Sequence, residues 1–201
     1  IYVDYLQIKM IKKGIILAGG SGTRLSPLTK SVNKQLLPIH DKPMIFYPLS
    51  VMMLANIKKI LIIVNPGQIN TFKSLLGDGS RYGININYKI QDKPRGLPDA
   101  FILGKTFINQ DNVALILGDN FFYGQSLTKK LEKSSIHKSG ATIFLKEVSS
   151  PENYGVAKIK KNRIEKIVEK PKKFVSRNAI TGLYFFDKNV SDYASKLKKS
   201  K

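Results

Sequence analysis

The chain has 201 residues, 42% of them hydrophobic and 24% charged, an ordinary globular composition with enough apolar residues for one sizeable core. It contains no cysteine, which excludes disulfides and thiolate metal sites and fits a cytosolic setting, and no apolar run reaches the ~18 residues of a bilayer span. A net charge of +20 favours polyanionic partners, yet the basic residues are spread as doublets without blocks or interleaved aromatics, so neither nucleic acid nor membrane is expected as a partner.

Residues 1–9 read as an extension ahead of Met10, which reads as a natural start, and no secretory signal is visible there. From that point short apolar runs alternate with longer amphipathic segments. Strands are predicted at Gly14 to Ala18, Ile60 to Val64, Ile86 to Ile90, Val113 to Leu117 and Ala141 to Leu145. Helices are predicted at Met44 to Ala55, Ile69 to Leu76, Pro98 to Phe107 and Ser126 to His137. Consecutive apolar positions suit strands covered on both faces, and the β-α alternation predicts a mostly parallel sheet, an α/β fold. After Ser149-Ser150-Pro151 the pattern changes. Val156 to Lys160 and Ile164 to Val168 flank a turn at Lys161-Asn162-Arg163, a strand follows at Thr181 to Phe186, and a last helix is predicted at Ser191 to Lys198. With no repeat and no long linker, one domain over residues 10–201 is expected.

The first strand runs directly into Gly19-Gly20-Ser21-Gly22-Thr23-Arg24-Leu25. Glycine allows positive φ and close backbone approach, and successive N–H groups in such a turn form a nest for phosphate oxygens. Arg24 adds a permanently charged fork for the same anion. The loop is not a Walker P-loop, whose spacing fails. It is not a dinucleotide fingerprint either, because Leu25 stands where the third glycine belongs. Read alone, the residues leave a ligand-free glycine turn open. Asp119 directly follows a predicted central strand and Gly118, at the edge where open α/β sheets bind ligands. A carboxylate there suits Mg2+ beside substrate phosphates, although a turn aspartate is the simpler alternative.

The blocks that follow this loop are Lys34-Gln35-Leu36-Leu37-Pro38, Lys42-Pro43-Met44-Ile45, Leu76-Gly77-Asp78-Gly79-Ser80 and Leu117-Gly118-Asp119-Asn120. Further on stand Tyr154-Gly155-Val156, Glu169-Lys170-Pro171 and Thr181-Gly182-Leu183-Tyr184-Phe185. In this order and spacing, over roughly Lys13 to Lys198, the sequence resembles the sugar nucleotidyltransferases, and among them the thymidylyltransferase branch.

The resemblance implies a nucleotide-diphospho-sugar transferase type of fold: a Rossmann-like, mostly parallel twisted sheet flanked by helices, with a small β-rich sugar-binding portion. It implies transfer of a nucleotidyl group from dTTP to glucose-1-phosphate, giving dTDP-glucose and pyrophosphate for deoxysugar and cell-surface polysaccharide synthesis. Mg2+ would be the cofactor, the setting the cytoplasm, and the assembly a homo-oligomer, a tetramer. Catalysis would fall to Arg24, Lys34 and Asp119, with Asp119 holding the metal. The nucleotide would be bound by Gly19, Gly20, Ser21, Gly22, Thr23, Gln35, Gln91, Gly96 and Leu97. Asn120, Gly155, Glu169, Lys170 and Ile180 would take the sugar phosphate. Tyr184 could equally be core.

The chain departs from the family's commoner pattern at Pro98-Asp99, where Ala and Gln are usual, and at Arg95, which leaves the base site less defined than the phosphate site. Relatives also continue beyond this chain with a second metal aspartate in a Trp-Leu-Asp-like motif and a further arginine. The sequence after Lys198 offers neither, so a C-terminally incomplete domain with reduced metal affinity and rate is expected. Three alternatives stay open: a nucleotide-binding subunit without turnover, a basic nucleic-acid-binding protein, and a uridylyl, cytidylyl or adenylyl transferase. Two base-reading glutamines favour thymine over purines but do not separate thymine from uracil.

Overall fold

A computed structural model describes residues 10–20, 22–93, 95–136, 139–161 and 163–197. The extension at 1–9, Ser21 in the glycine loop, Asn162 in the hairpin turn, and the helix ends expected at His137 and Lys198 lie outside the described residues.

In chain order the first half comprises β1 (Lys13–Ala18), a small hairpin of β2 (Pro38–Ile39) and β3 (Lys42–Pro43), α1 (Phe46–Leu54), β4 (Lys59–Val64), α2 (Ile69–Leu76) and β5 (Asn85–Ile90). Then come α3 (Pro98–Leu103), α4 (Lys105–Ile108), β6 (Val113–Leu117), α5 (Leu127–Ser135), β7 (Ala141–Glu147), β8 (Gly155–Lys160), β9 (Arg163–Glu169), β10 (Asn178–Phe186) and α6 (Val190–Lys196). The helix expected over Pro98 to Phe107 is two helices that meet at Gly104. A Cβ there would stand 2.9 Å from both Ala100 O and Ile15 Cδ1, so the chain passes close against β1 at that point.

The main sheet runs β5-β4-β1-β6-β10-β8-β9, with β7 also paired to β10. Its first four strands are parallel, in register from Lys13↔Lys59 and Lys13↔Val113 onward. Strands β10, β7, β8 and β9 continue it antiparallel and form the β-rich portion, including the expected β8–β9 hairpin.

Because side chains alternate across a strand, the apolar runs feed two cores. Ile16, Ile60, Ile62, Val64, Ala114 and Ile116 pack on one face against Leu49 and Met52 of α1, Phe72 and Leu76 of α2, and Leu131 of α5. Ile15, Leu61, Ile63, Val113 and Leu115 pack on the other against Ala100 and Phe101 of α3, Ile108 of α4, and Val190 and Ala194 of α6. Among the described residues no helix is long and apolar enough to cross a membrane.

This layout positions the site. The chain builds β4 and β5 on one side of β1, then returns to place β6 on the other. The strand order therefore reverses between β1 and β6, and a crevice opens beyond their C-terminal ends, where sheets of this kind bind ligands.

Candidate active site

The residue after each parallel strand, or the next one, is polar or glycine and faces this edge. Gly19 and Gly20 follow β1, Asn65 follows β4, Gln91 follows β5, and Gly118-Asp119 follows β6. Between β1 and β6 lies a cleft of about 240 Å³ lined by Gly19, Gly20, Gly22, Thr23, Arg24, Leu25, Lys34, Gln35 and Asp119. Eight of the residues expected to bind or activate nucleotide therefore meet in one hollow; Ser21 lies outside the described residues.

Local interactions hold the loop in place. Asn65 donates Nδ2 to Gly20 O at 2.9 Å and accepts from Gly20 N at 3.1 Å. The Gly20 N–H is thereby occupied, which removes it from the phosphate nest that the sequence suggests for residues 19 to 23. Arg24 belongs to a single helical turn, Thr23–Leu25, whose first N–H groups have no partner within the turn. Arg24 itself is exposed on the rim.

Lys34 and Gln35 are seated by Asn33, which is 8% exposed. The Asn33 side chain donates to Ala18 O at 3.4 Å, at the end of β1, and accepts from Gln35 N at 2.9 Å. The segment is thus bolted to the strand that carries the glycine loop. The Lys34 ammonium reaches across to Asp119 Oδ2 at 2.6 Å. The Gln35 side chain is buried, and its Oε1 has no hydrogen-bond partner among the described residues. A buried acceptor left open in the wall of a cleft points to a donor on a ligand, since orphaned buried polar atoms are costly.

The fit to a metal rests on Asp119. Among the described residues no group of three or more acidic or histidine side chains comes together, so no cation would be caged by protein alone. One carboxylate facing a phosphate-sized hollow does fit Mg2+, which combines one or two carboxylates with substrate phosphates and water. The Lys34 ammonium stands where such a positive charge would be held.

Gln91 lies beside this cleft. It is 3% exposed and donates Nε2 to Asp99 Oδ2 at 2.8 Å, while a Cβ on Gly19 would stand 2.8 Å from its Oε1. Gly96 sits on the exposed turn before α3, with φ at 88°. Leu97 is elsewhere: it lines an apolar hollow of about 340 Å³ with Phe101, Phe186 and Val190, drawn there by the second core.

Three of the residues expected to bind sugar phosphate, Gly155, Glu169 and Ile180, lie together on the antiparallel strands. Gly155 pairs with Glu169 across β8 and β9, and a Cβ on Gly155 would lie 2.7 Å from Glu169 Oε2 and 3.8 Å from Ile180 Cδ1. Asn120, adjacent to Asp119, donates Nδ2 to Thr181 O and so joins the cleft to this cluster. Lys170 is exposed, and its N–H donates to Tyr154 O at 3.0 Å. Tyr184 takes the core role. It packs on the second core with its ring stacked on Phe186, and burial, then the charge of Glu169, pushes its hydroxyl pKa up.

Asn33 and Asn65 have structural roles here that nothing in the sequence announces, and Asp99, visible there only as a departure from the commoner pattern, is a partner of Gln91.

Comparison with known proteins bears on this geometry. The family profile of nucleotidyl transferases matches residues 13–201. The glucose-1-phosphate thymidylyltransferase of Neisseria meningitidis serogroup A is 54% identical over 189 residues, which are 94% of this chain and 66% of that one. Its counterpart from Xanthomonas campestris is 53% identical over 190 residues, 94% of this chain and 64% of that one. The chain thus spans about two thirds of the length of these curated relatives. A Bacillus anthracis protein described as a glucose-1-phosphate thymidylyltransferase, crystallised in complex with sucrose, superposes with a TM-score of 0.86 at 40% identity, over 92% of this chain and 75% of that one. A UDP-glucose pyrophosphorylase complexed with UDP-glucose superposes with a TM-score of 0.80 at 24% identity, over 95% of this chain and 81% of that one, which speaks to the fold alone.

Proposed function

The chain belongs to the nucleotidyl transferase family, and on that premise we propose that it transfers a thymidylyl group from dTTP to glucose-1-phosphate, giving dTDP-glucose and pyrophosphate. The observation that carries this reading is the convergence of the glycine loop, Arg24, Lys34 and Asp119 in one cleft at the reversal of strand order. In the reaction a phosphate oxygen of glucose-1-phosphate attacks the α-phosphorus of dTTP, and the bond to the β-phosphate oxygen breaks. Such a displacement needs alignment and charge neutralisation rather than a covalent nucleophile.

Each residue then has a task. The backbone around Gly19, Gly22 and Thr23 admits the triphosphate, with Ser21 in the same loop. Arg24 and Lys34 offset the charge that builds on the departing pyrophosphate. Nucleotidyl transferases typically use a divalent metal, and here Asp119 would hold Mg2+, which when bound neutralises phosphate charge. Gln35 and Gln91 would read the base. Gly96 would flank base and deoxyribose, a role the resemblance also gives Leu97, which lines the separate apolar hollow. Gly155, Glu169, Ile180 and Asn120 would take sugar hydroxyls, and Lys170 the sugar phosphate. The same resemblance would make the protein a cytoplasmic homo-oligomer.

The test is pyrophosphate release from purified protein with four nucleoside triphosphates and several sugar phosphates. Release that needs dTTP and glucose-1-phosphate together supports the reading. Tight dTTP binding with no pyrophosphate from any pair would sink it in favour of a binding subunit.

A further inference from the structure

We propose that Asp99 is a positioning residue that fixes which end of the Gln91 amide faces the nucleotide, and that this polarity selects bases with an N–H donor at the reading position, thymine or uracil, over cytosine. The inference rests on the nucleotide site proposed above and goes beyond it by assigning a role to a residue outside that site.

Both side chains are almost fully buried, Asp99 at 7% and Gln91 at 3% exposure. The Gln91 Nε2 donates to Asp99 Oδ2 at 2.8 Å. A carboxylate only accepts hydrogen bonds, so the amide must turn its NH2 group toward it. Its carbonyl end is then left on the opposite side, against the bare backbone of Gly19, where a Cβ would approach Oε1 to 2.8 Å. Gln91 therefore turns its acceptor toward the glycine loop. The ring N–H between the two carbonyls of thymine or uracil can donate to that oxygen. The corresponding nitrogen of cytosine carries a lone pair and would meet it acceptor to acceptor. An amide in place of Asp99 could donate or accept, and so would hold Gln91 in either orientation.

A simpler account makes Asp99 a first-turn acid at the start of α3, stabilising the helix end. An exposed carboxylate would serve that purpose as well. Burial of a carboxylate is unfavourable unless it is paired, and the partner here comes from the end of β5 rather than from α3.

The experiment measures dissociation constants of dTTP and dCTP on wild type, Asp99→Asn, Asp99→Ala and Gln91→Ala, with melting temperatures as a control of folding. Wild type should prefer dTTP. In Asp99→Asn and Asp99→Ala the amide is free to turn, and the preference should fall about tenfold, the worth of one hydrogen bond of this kind. Much of that fall should come from tighter dCTP binding. Mere loosening of the site would weaken both nucleotides and leave their ratio alone.

An unchanged ratio in both Asp99 variants, with the ratio collapsed in Gln91→Ala, overturns the inference and spares the base site. A ratio unchanged in Gln91→Ala, or no preference in wild type, overturns the base-site reading and this inference with it. If the Asp99 variants do not fold, wild type decides. Thymidine triphosphate methylated at the ring N–H should bind at least tenfold more weakly than dTTP, and equal binding overturns the proposal.

Discussion

Lys34 Nζ lies 2.6 Å from Asp119 Oδ2, across 85 residues of sequence and from opposite walls of the cleft. The carboxylate proposed to hold a cation already faces one, and that cation belongs to the protein. Nucleotide entry would separate the pair, with the ammonium turning to phosphate oxygens and the carboxylate to the metal.

Lys34→Met should therefore move two quantities in opposite directions. Turnover should fall about 10²- to 10³-fold, the usual loss for one charge-stabilising donor. Metal affinity without nucleotide should rise, because the competing ammonium is gone. Pyrophosphate release and Mn2+ binding followed by electron paramagnetic resonance measure the two effects. A parallel fall in both would show that Lys34 does not compete for Asp119.

Chelation should abolish turnover in wild type and Mg2+ should restore it. In Asp119→Asn, millimolar Mg2+ should fail to restore it, because a neutral amide is a poor ligand for a hard cation. A metal titration of both proteins checks this, and recovery of the variant at ordinary Mg2+ would remove Asp119 from the metal site.

Asn65→Ala deletes both hydrogen bonds that pin Gly20. The loop should lose its fixed shape before the nucleotide arrives, raising KM for dTTP about 30-fold at near-constant kcat, since the two bonds together are worth ~2 kcal/mol net. Steady-state kinetics with varied dTTP provides the readout.

Gly155→Ala places a methyl group where Glu169 Oε2 now lies 2.7 Å away. The carboxylate must move, so KM for glucose-1-phosphate should rise while dTTP affinity stays constant. Equal loss of both affinities would indicate a general disturbance of the sheet.

Stability at high pH should report Tyr88, whose hydroxyl donates to Gly77 O at 2.6 Å. Burial pushes its pKa up from 10.0 to about 12. The folded state thus keeps a proton that the unfolded chain releases. The resulting stabilisation is complete below pH 10 and is lost as pH rises toward 12. Melting temperature against pH should be flatter over that window in Tyr88→Phe than in wild type.

Much of the fold was legible because its signal is local. Five consecutive apolar, mostly β-branched residues at Ile60 to Val64 suit a strand covered on both faces, and they are buried throughout. The same reading ran one helix through Gly104, because nothing nearby in sequence announces how close Ile15 of β1 lies. At the site, the glycine loop and Asp119 were visible from their positions after strands. Asn65 was not, because its meaning comes from Gly20, 45 residues away. The Pro98-Asp99 departure was visible only as an irregularity. Its sense appears once Asp99 is seen facing Gln91, on a strand end that sequence alone does not bring to it.

Strand β10 is stitched to β6 through Leu183 to Phe186, to β7 along most of its length, and to β8 at Ala179. The seats proposed for the two substrates are thus welded into one continuous plate. A jaw-like swing of one seat against the other would have to tear that seam, at ~1–3 kcal/mol for every buried backbone group left without a partner. On the proposed function, admission and release would then fall to small parts near the mouth: the pinned loop, the Lys34 arm, and the Asn120 latch on Thr181.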